Sequence, residues 1–258
     1  MFLIWIFNMM KSNDTIILIP ARLSSTRLPN KPLLKIQGKE MILHVWENAQ
    51  MSNADLVIVA TDSTEISNVL EKNNAKYIIT KEEHLSGTDR IYEALINIDP
   101  DGKYKYIVNL QGDIPNIKPN IIDIGLEQIK ITDADILTYA RVIDKKEDIH
   151  NPNIVKIAAS TSNKNNMEAI YFSRSPIPYG AEIYYEHIGI YIYKRDALDR
   201  FTSLEPSSLE KEENLEQLRA LQNSLKINLI LTDDEIISID TLDDVERLMK
   251  ASQGGDDI

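Results

Sequence analysis

Cysteine is absent from all 258 residues, which excludes disulfides, thiolate nucleophiles and Cys-ligated zinc or iron–sulfur sites. Such a chain suits the reducing cytoplasm, and a cytoplasmic protein is expected. Basic charge is also in short supply: 28 Lys and Arg stand against 40 Asp and Glu, a net charge of −12. That argues against general affinity for nucleic acid or an anionic membrane, which need a broad basic face. Long apolar runs are missing too. The segment Met1 to Phe7 is apolar, but far shorter than the roughly 20 residues a membrane-spanning helix needs. No positive residue precedes it and no small-residue cleavage site follows. Residues 1–13 therefore read as an extension without function.

Familiar catalytic devices are also lacking. There is no Gly-x-x-x-x-Gly-Lys phosphate loop, no Gly-x-Gly-x-x-Gly fingerprint and no His-Glu-x-x-His zinc helix. The histidines His44, His84, His150 and His187 lack metal-ligand spacing, and no Gly-x-Ser-x-Gly elbow is present. Covalent nucleophilic catalysis has little support.

What is present centres on Ile16 to Pro32. Ile16-Ile17-Leu18-Ile19 reads as a strand buried on both faces. Pro20 ends it, and a loop rich in Ser, Thr, Pro and Asn follows. From Pro20 to Lys39 the chain carries Arg22, Arg27, Lys31, Lys35 and Lys39 and no acid. A cationic loop at the carboxyl end of a central strand is where open α/β sheets hold anionic ligands.

Downstream, strands at 56–60, 77–79 and 106–110 alternate with helices at 40–51 and 65–73 and with a loop at 84–90 that leads into a helix through about Ile98. This predicts an α/β fold with a doubly wound, mostly parallel sheet. The second half is less regular: a helix near 120–129, strands near 136–140, 154–160, 169–174 and 187–193, and a helix from Arg195. A single amphipathic helix is expected over Ser207–Asn223, with Leu209, Leu215, Leu218 and Leu221 on one side. A final strand at Ile236–Ile239 and a helix at Leu242–Lys250 follow. The chain reads as one unit over 14–252, with an excursion near 140–190 and a disordered tail at 253–258.

Two acids stand out by placement. Asp113 follows a buried strand between Gly112 and Pro115, and Asp240 follows the expected last strand. Two carboxylates opposite a Lys/Arg cluster suit Mg²⁺ bridging to phosphate oxygens. The plainer reading of Asp240 is a cap for the next helix. Arg22 and Lys31 are the stronger phosphate candidates of the loop, whereas Lys35 and Lys39 read as solvated. Taken singly, Ser86-Gly87-Thr88 reads as a helix entry, His187 as a structural histidine, and Glu216 and Gln217 as a polar helix face.

Taken together, these segments resemble the CMP-sugar synthetases, a nucleotidyltransferase family. The resemblance runs through Pro20-Ala21-Arg22, Leu28-Pro29-Asn30-Lys31-Pro32, Ala60-Thr61-Asp62 and Ser86-Gly87-Thr88-Asp89-Arg90. It continues through Asn109-Leu110-Gln111-Gly112-Asp113, Asn151-Pro152-Asn153, Tyr171-Phe172-Ser173-Arg174, His187-Ile188-Gly189-Ile190-Tyr191, Leu215-Glu216-Gln217 and Asp240-Thr241. The later segments resemble the branch acting on 3-deoxy-manno-octulosonate (Kdo). The resemblance implies a Rossmann-like nucleotidyltransferase fold with a smaller dimerisation or lid excursion, and a homodimer. It also implies transfer of CMP from CTP to the anomeric hydroxyl of Kdo, with Mg²⁺, for lipopolysaccharide synthesis. Pro20, Ala21, Arg22, Lys31, Ser86, Gly87 and Arg90 would hold the nucleotide. Asp113 and Asp240 would hold metal, and Arg22, Lys31, Asp113 and Asp240 would carry catalysis. Gln111, Arg174, His187, Tyr191, Glu216 and Gln217 would surround the sugar acid. The chain departs from the family pattern at Ile114, at Glu186, in the shorter segment between Pro178 and His187, and at Ile236–Ile239.

Overall fold

The computed structural model describes residues 13–24, 28–163 and 166–253. Arg27, most of the amino-terminal extension and residues 254–258 lie outside the described residues. Strand β1 (Thr15–Ala21) is the centre of the sheet. Ile16 and Leu18 enter the core on one face, and Ile17 and Ile19 enter the core on the other. That two-sided burial is why the run is continuous rather than alternating.

A one-turn 3-10 helix at Lys31–Leu33 leads to a small hairpin of β2 (Lys35–Ile36) and β3 (Lys39–Glu40). Then come α1 (Met41–Gln50), β4 (Leu56–Thr61), α2 (Thr64–Lys72), β5 (Tyr77–Ile79), α3 (Gly87–Ile98) and β6 (Tyr106–Asn109). The second half holds α4 (Pro119–Ile131), β7 (Ile136–Val142), α5 (Lys146–Ile149), β8 (Lys156–Asn163), β9 (Asn166–Ser173) and β10 (Tyr185–Lys194). It closes with α6 (Arg195–Thr202), α7 (Ser208–Glu213), α8 (Gln217–Gln222), β11 (Ile227–Leu231) and α9 (Leu242–Gln253). No helix among the described residues is long and apolar enough to cross a membrane.

The large sheet runs β5-β4-β1-β6-β10-β7-β11-β9-β8. Its first four strands are parallel. Strand β10 then enters antiparallel to both β6 and β7, and β9 is antiparallel to β11 and β8. The sheet is therefore mixed, and the mostly parallel expectation holds only for the first half. The reason is connection length: the link between β8 and β9 is too short for the crossover a parallel pair needs. The 140–190 segment thus adds β8 and β9 to the far edge of the same sheet and, from Tyr185, begins β10 in its middle.

Two local expectations are corrected. The helix expected over Ser207–Asn223 is broken into α7 and α8. Asn214 ends α7 in the left-handed region at φ 53°, a conformation that Asn tolerates better than most residues. The leucine stripe survives the break because Leu215 and Leu218 enter the same core as Leu209 and Leu221. Ile236–Ile239 is also not a strand. It is anchored singly, by the Ile237 amide donating to Asn116 Oδ1 at 3.0 Å and the Ile239 amide donating to the Asp113 carbonyl at 2.9 Å. The last strand is β11, where no strand is expected from the sequence. Ile237 and Ile239 are nonetheless buried, with Leu28, Ile36, Met41 and Leu248, in a small third core. That cluster fastens the carboxyl-terminal segment to the cationic loop.

Candidate active site

A cavity of about 310 Å³ opens at the carboxyl ends of β1 and β6 and the amino end of α3. Pro20, Ala21, Arg22, Lys31, Ser86, Gly87, Arg90, Gln111, Asp113 and Asp240 all line it, with Ser24, Pro32, His84 and Gly112. Residues 220 positions apart in the chain thus share one wall: β1 and β6 end there, at the usual ligand edge of an α/β sheet, and the non-strand segment before Asp240 is tied to Asp113.

Lys31 is its electrostatic centre. The ammonium donates to Asp113 Oδ2 at 2.7 Å and to Asp240 Oδ1 at 3.0 Å. Burial works against the charge on Lys31, yet the two carboxylates outweigh it and hold its pKa above the ordinary lysine value. Asp240 arrives beside Asp113 because the preceding residue, Ile239, is bonded to the Asp113 carbonyl. It is not the cap of α9. Thr241 takes that role, its Oγ1 accepting the Asp244 amide at 3.3 Å while the Asp244 carboxylate accepts the Thr241 amide at 2.8 Å.

Glycine is required at Gly112, where a Cβ would stand 2.9 Å from the Pro20 carbonyl oxygen. This close approach presses the Gln111–Asp113 turn against the end of β1. Ser86 caps α3, its Oγ accepting the Asp89 amide at 3.0 Å. Arg22 is exposed at the cavity. Arg90 is differently placed: its guanidinium donates to Asp62 and Thr80, each at 2.6 Å, and to the Lys81 carbonyl at 3.1 Å. Its donors brace the wall.

Of the residues expected around the sugar acid, only Gln111 lines this cavity; His187, Tyr191 and Glu216 neighbour one another outside it, whereas Arg174 is held at the Glu213–Asn214 turn. The His187 ring packs against Phe172 and Tyr191, with centroids 5.0 and 5.4 Å away. Thr138 Oγ1 has one hydrogen, for which the carbonyls of Ile190 at 2.8 Å and Ile188 at 3.2 Å compete. His187 Nε2, 2.9 Å from the same oxygen, is therefore assigned as the donor, leaving Nδ1 as an acceptor. Burial pushes this imidazole down to about 3, so it is neutral at pH 7. Glu216 accepts from Thr88 at 3.1 Å through Oε2, while its buried Oε1 has no partner. Burial raises its carboxyl to about 6. The neighbouring Gln217 Nε2 is buried and unpartnered as well. Such adjacent orphaned groups are uncommon in a finished core. Arg174 donates to the carbonyls of Glu213 at 2.9 Å and Pro152 at 2.9 Å, and its amide donates to the Glu213 carboxylate.

Sequence reasoning passed over Glu213, Asn109 and His84. Glu213 orients Arg174, Asn109 joins Gln111 to Thr88, and His84 pairs with Glu93 beside the cavity. Asn109 was legible in one respect, as a polar residue ending an apolar strand. Nothing local marks Glu213 among the acids of its helix.

The family model described as cytidylyltransferase matches residues 16–227. The 3-deoxy-manno-octulosonate cytidylyltransferase of Bartonella tribocorum is 45% identical over 237 residues, 92% of this chain and 98% of that one. The enzyme of the same name from Brucella anthropi is 45% identical, over 93% of this chain and 96% of its own. Among solved structures, a CMP:2-keto-3-deoxy-manno-octonic acid synthetase complexed with CTP superposes with a TM-score of 0.85 at 34% identity. That match covers 93% of this chain and 99% of the other.

Proposed function

The chain belongs to the cytidylyltransferase family, and from that premise we propose how its residues divide the work of moving CMP from CTP to Kdo with release of pyrophosphate. The observation that carries the reading is the convergence of Asp113 and Asp240 on the single ammonium of Lys31 inside the strand-end cavity.

The cavity takes the nucleotide. Pro20, Ala21 and Ser86-Gly87 supply backbone and small side chains against the cytidine, and Arg22 and Lys31 supply positive charge for the triphosphate. Asp113 and Asp240 offer hard oxygen ligands. Among the described residues no group of three or more His, Asp or Glu could hold a metal ion by itself. Asp113 and Asp240 would fit Mg²⁺, an ion held through one or two protein carboxylates together with substrate phosphates. Bound there, the ion would neutralise phosphate charge and acidify the attacking hydroxyl.

The second cluster takes the sugar acid. Arg174 answers its carboxylate, and the unpartnered oxygen of Glu216 and the amide of Gln217 answer hydroxyls. Neutral His187 offers one acceptor nitrogen without a competing charge. The sugar oxygen attacks the α-phosphorus directly as its bond to the pyrophosphate oxygen breaks and the hydroxyl proton passes to solvent, and the protein contributes alignment and charge neutralisation.

The test is pyrophosphate release from CTP and Mg²⁺ across a panel of Kdo, an amino-substituted Kdo and a sialic acid. Turnover is expected with Kdo above the others. Turnover confined to the sialic acid, or CTP binding in a calorimeter with no turnover of any acceptor, would overturn the reading.

A further inference from the structure

We propose that Thr88 is a positioning residue for the transfer, its hydroxyl joining the nucleotide cavity to Glu216 and fixing what each side presents. The inference rests on the reading of Glu216 as a sugar contact. Thr88 is buried at the start of α3, next to Gly87 of the cavity wall. Its Oγ1 donates to Glu216 Oε2 at 3.1 Å and accepts from Asn109 Nδ2 at 3.2 Å. Asn109 Oδ1 in turn accepts from Gln111 Nε2 at 3.1 Å.

The direction of this chain is forced. An ionised carboxylate only accepts and a hydroxyl has one hydrogen, so that hydrogen goes to Glu216. Asn109 must then offer its amide nitrogen to Thr88, which leaves its oxygen for the amide nitrogen of Gln111. Gln111 is thereby held with Oε1 toward the cavity, where it stands 3.6 Å from the point a Cβ on Gly87 would occupy. One hydroxyl thus sets an acceptor on the nucleotide side and a charged oxygen on the sugar side. Networks of this kind are directional, because reversing one amide breaks two bonds.

The groups around Glu216 agree with this. Burial raises its pKa, and the hydrogen bond from Thr88 and the nearby Ser86 hydroxyl oppose that rise. Arg219, on its own helix, also favours the charged form, while Asp89 of α3 disfavours it. Tyr191 and Tyr193 face it from β10, and Tyr193 also approaches Thr88.

The experiment is steady-state kinetics of the full chain with CTP, Mg²⁺ and Kdo for Thr88→Val, Thr88→Ser and Glu216→Gln, with pH profiles and melting curves. In Thr88→Val the KM for Kdo should rise about tenfold, the worth of one hydrogen bond to a charged group, and the KM for CTP by less than about twofold. The acidic limb of kcat/KM for Kdo should move to higher pH, since Glu216 loses a donor that favours its ionised form. Thr88→Ser should restore both. Equal changes in the two KM values, an unmoved acidic limb, or no rescue by serine would overturn the proposal. If Thr88→Val does not fold, Thr88→Cys takes its place with the same expectations. Glu216→Gln separates the two levels: an unchanged KM for Kdo overturns the sugar reading and the link with it. A raised KM there beside a wild-type Thr88→Val overturns the link alone.

Discussion

The strand-end cavity and the cluster beyond it handle charge in opposite ways. Around Lys31, charges stay because they are paired: two carboxylates hold one ammonium at 2.7 and 3.0 Å. Around His187 and Glu216, burial acts on the titratable groups largely without counter-charges, driving the imidazole to about 3 and the carboxyl to about 6. Under the proposed function, a paired region could exchange one cation for another as phosphate and metal arrive. An unpaired, desolvated one is poised to form hydrogen bonds to hydroxyls, since its orphaned atoms gain most from a partner. Under the proposed function, this difference would let one fold take a polyanion and a sugar acid side by side without mixing the two recognitions.

The sharpest break of this comparison is Asp113→Ala. It removes half of the paired region, and pyrophosphate release should fall by about 10³-fold, the upper range for deleting one preorganised electrostatic group. Normal turnover would show that Asp113 does not belong to the reacting centre. Lys31→Met should cost less, about 10²-fold in kcat with Kdo binding little changed. An equal loss in the KM for Kdo would show that the two regions are not separable.

Gentler tests use pH. His187 has a folded pKa of about 3 against an ordinary 6.5, so the unfolded chain takes up a proton that the folded one refuses. Stability contributed at this site is lost as pH falls from 6.5 toward 3. Glu216 slopes the other way: raised from 4.5 to about 6, it keeps in the folded state a proton the unfolded chain has released, so its contribution falls as pH rises through that window. Urea midpoints of His187→Gln and Glu216→Gln across pH 4 to 8 should each flatten one of these slopes. Parallel curves for wild type and both variants would refute the desolvated character of the cluster.

The smallest effect is expected at the helix break. Asn214→Ala should cost about 1 kcal/mol in denaturant melts, because alanine is strained in the left-handed region, whereas Asn214→Gly should not. The alanine variant should also weaken Kdo binding slightly, since the Asn214 carbonyl lies 3.4 Å from Arg174 Nη2.

Much of the parallel half was legible because its signals are local. A continuous apolar run marks β1, Ser63 and Ser86 cap their helices, and Gly112 marks a close backbone approach. The mixed half was harder. The chain gives no local sign of which neighbour a strand will choose, so β10 between β6 and β7 could not be foreseen. The helix expected over Ser207–Asn223 failed for the converse reason: its leucine period is genuine, but one Asn in a left-handed turn re-aims the second segment without disturbing that period. Ile236–Ile239 has a strand's composition, but its Ile237 and Ile239 amides are held by Asn116 and the Asp113 carbonyl rather than by a neighbouring strand.

The sequence by itself determined the main elements of the first half, the excluded cysteine chemistries and the residue types at the site, because capping, periodicity and charge act over a few neighbouring positions. Only the tertiary structure decided that Asp240 meets Asp113 across Lys31, and that Glu216 keeps an oxygen without a partner. Those facts depend on packing between segments more than a hundred residues apart, where the third core and the strand-end edge bring together side chains that no local pattern relates.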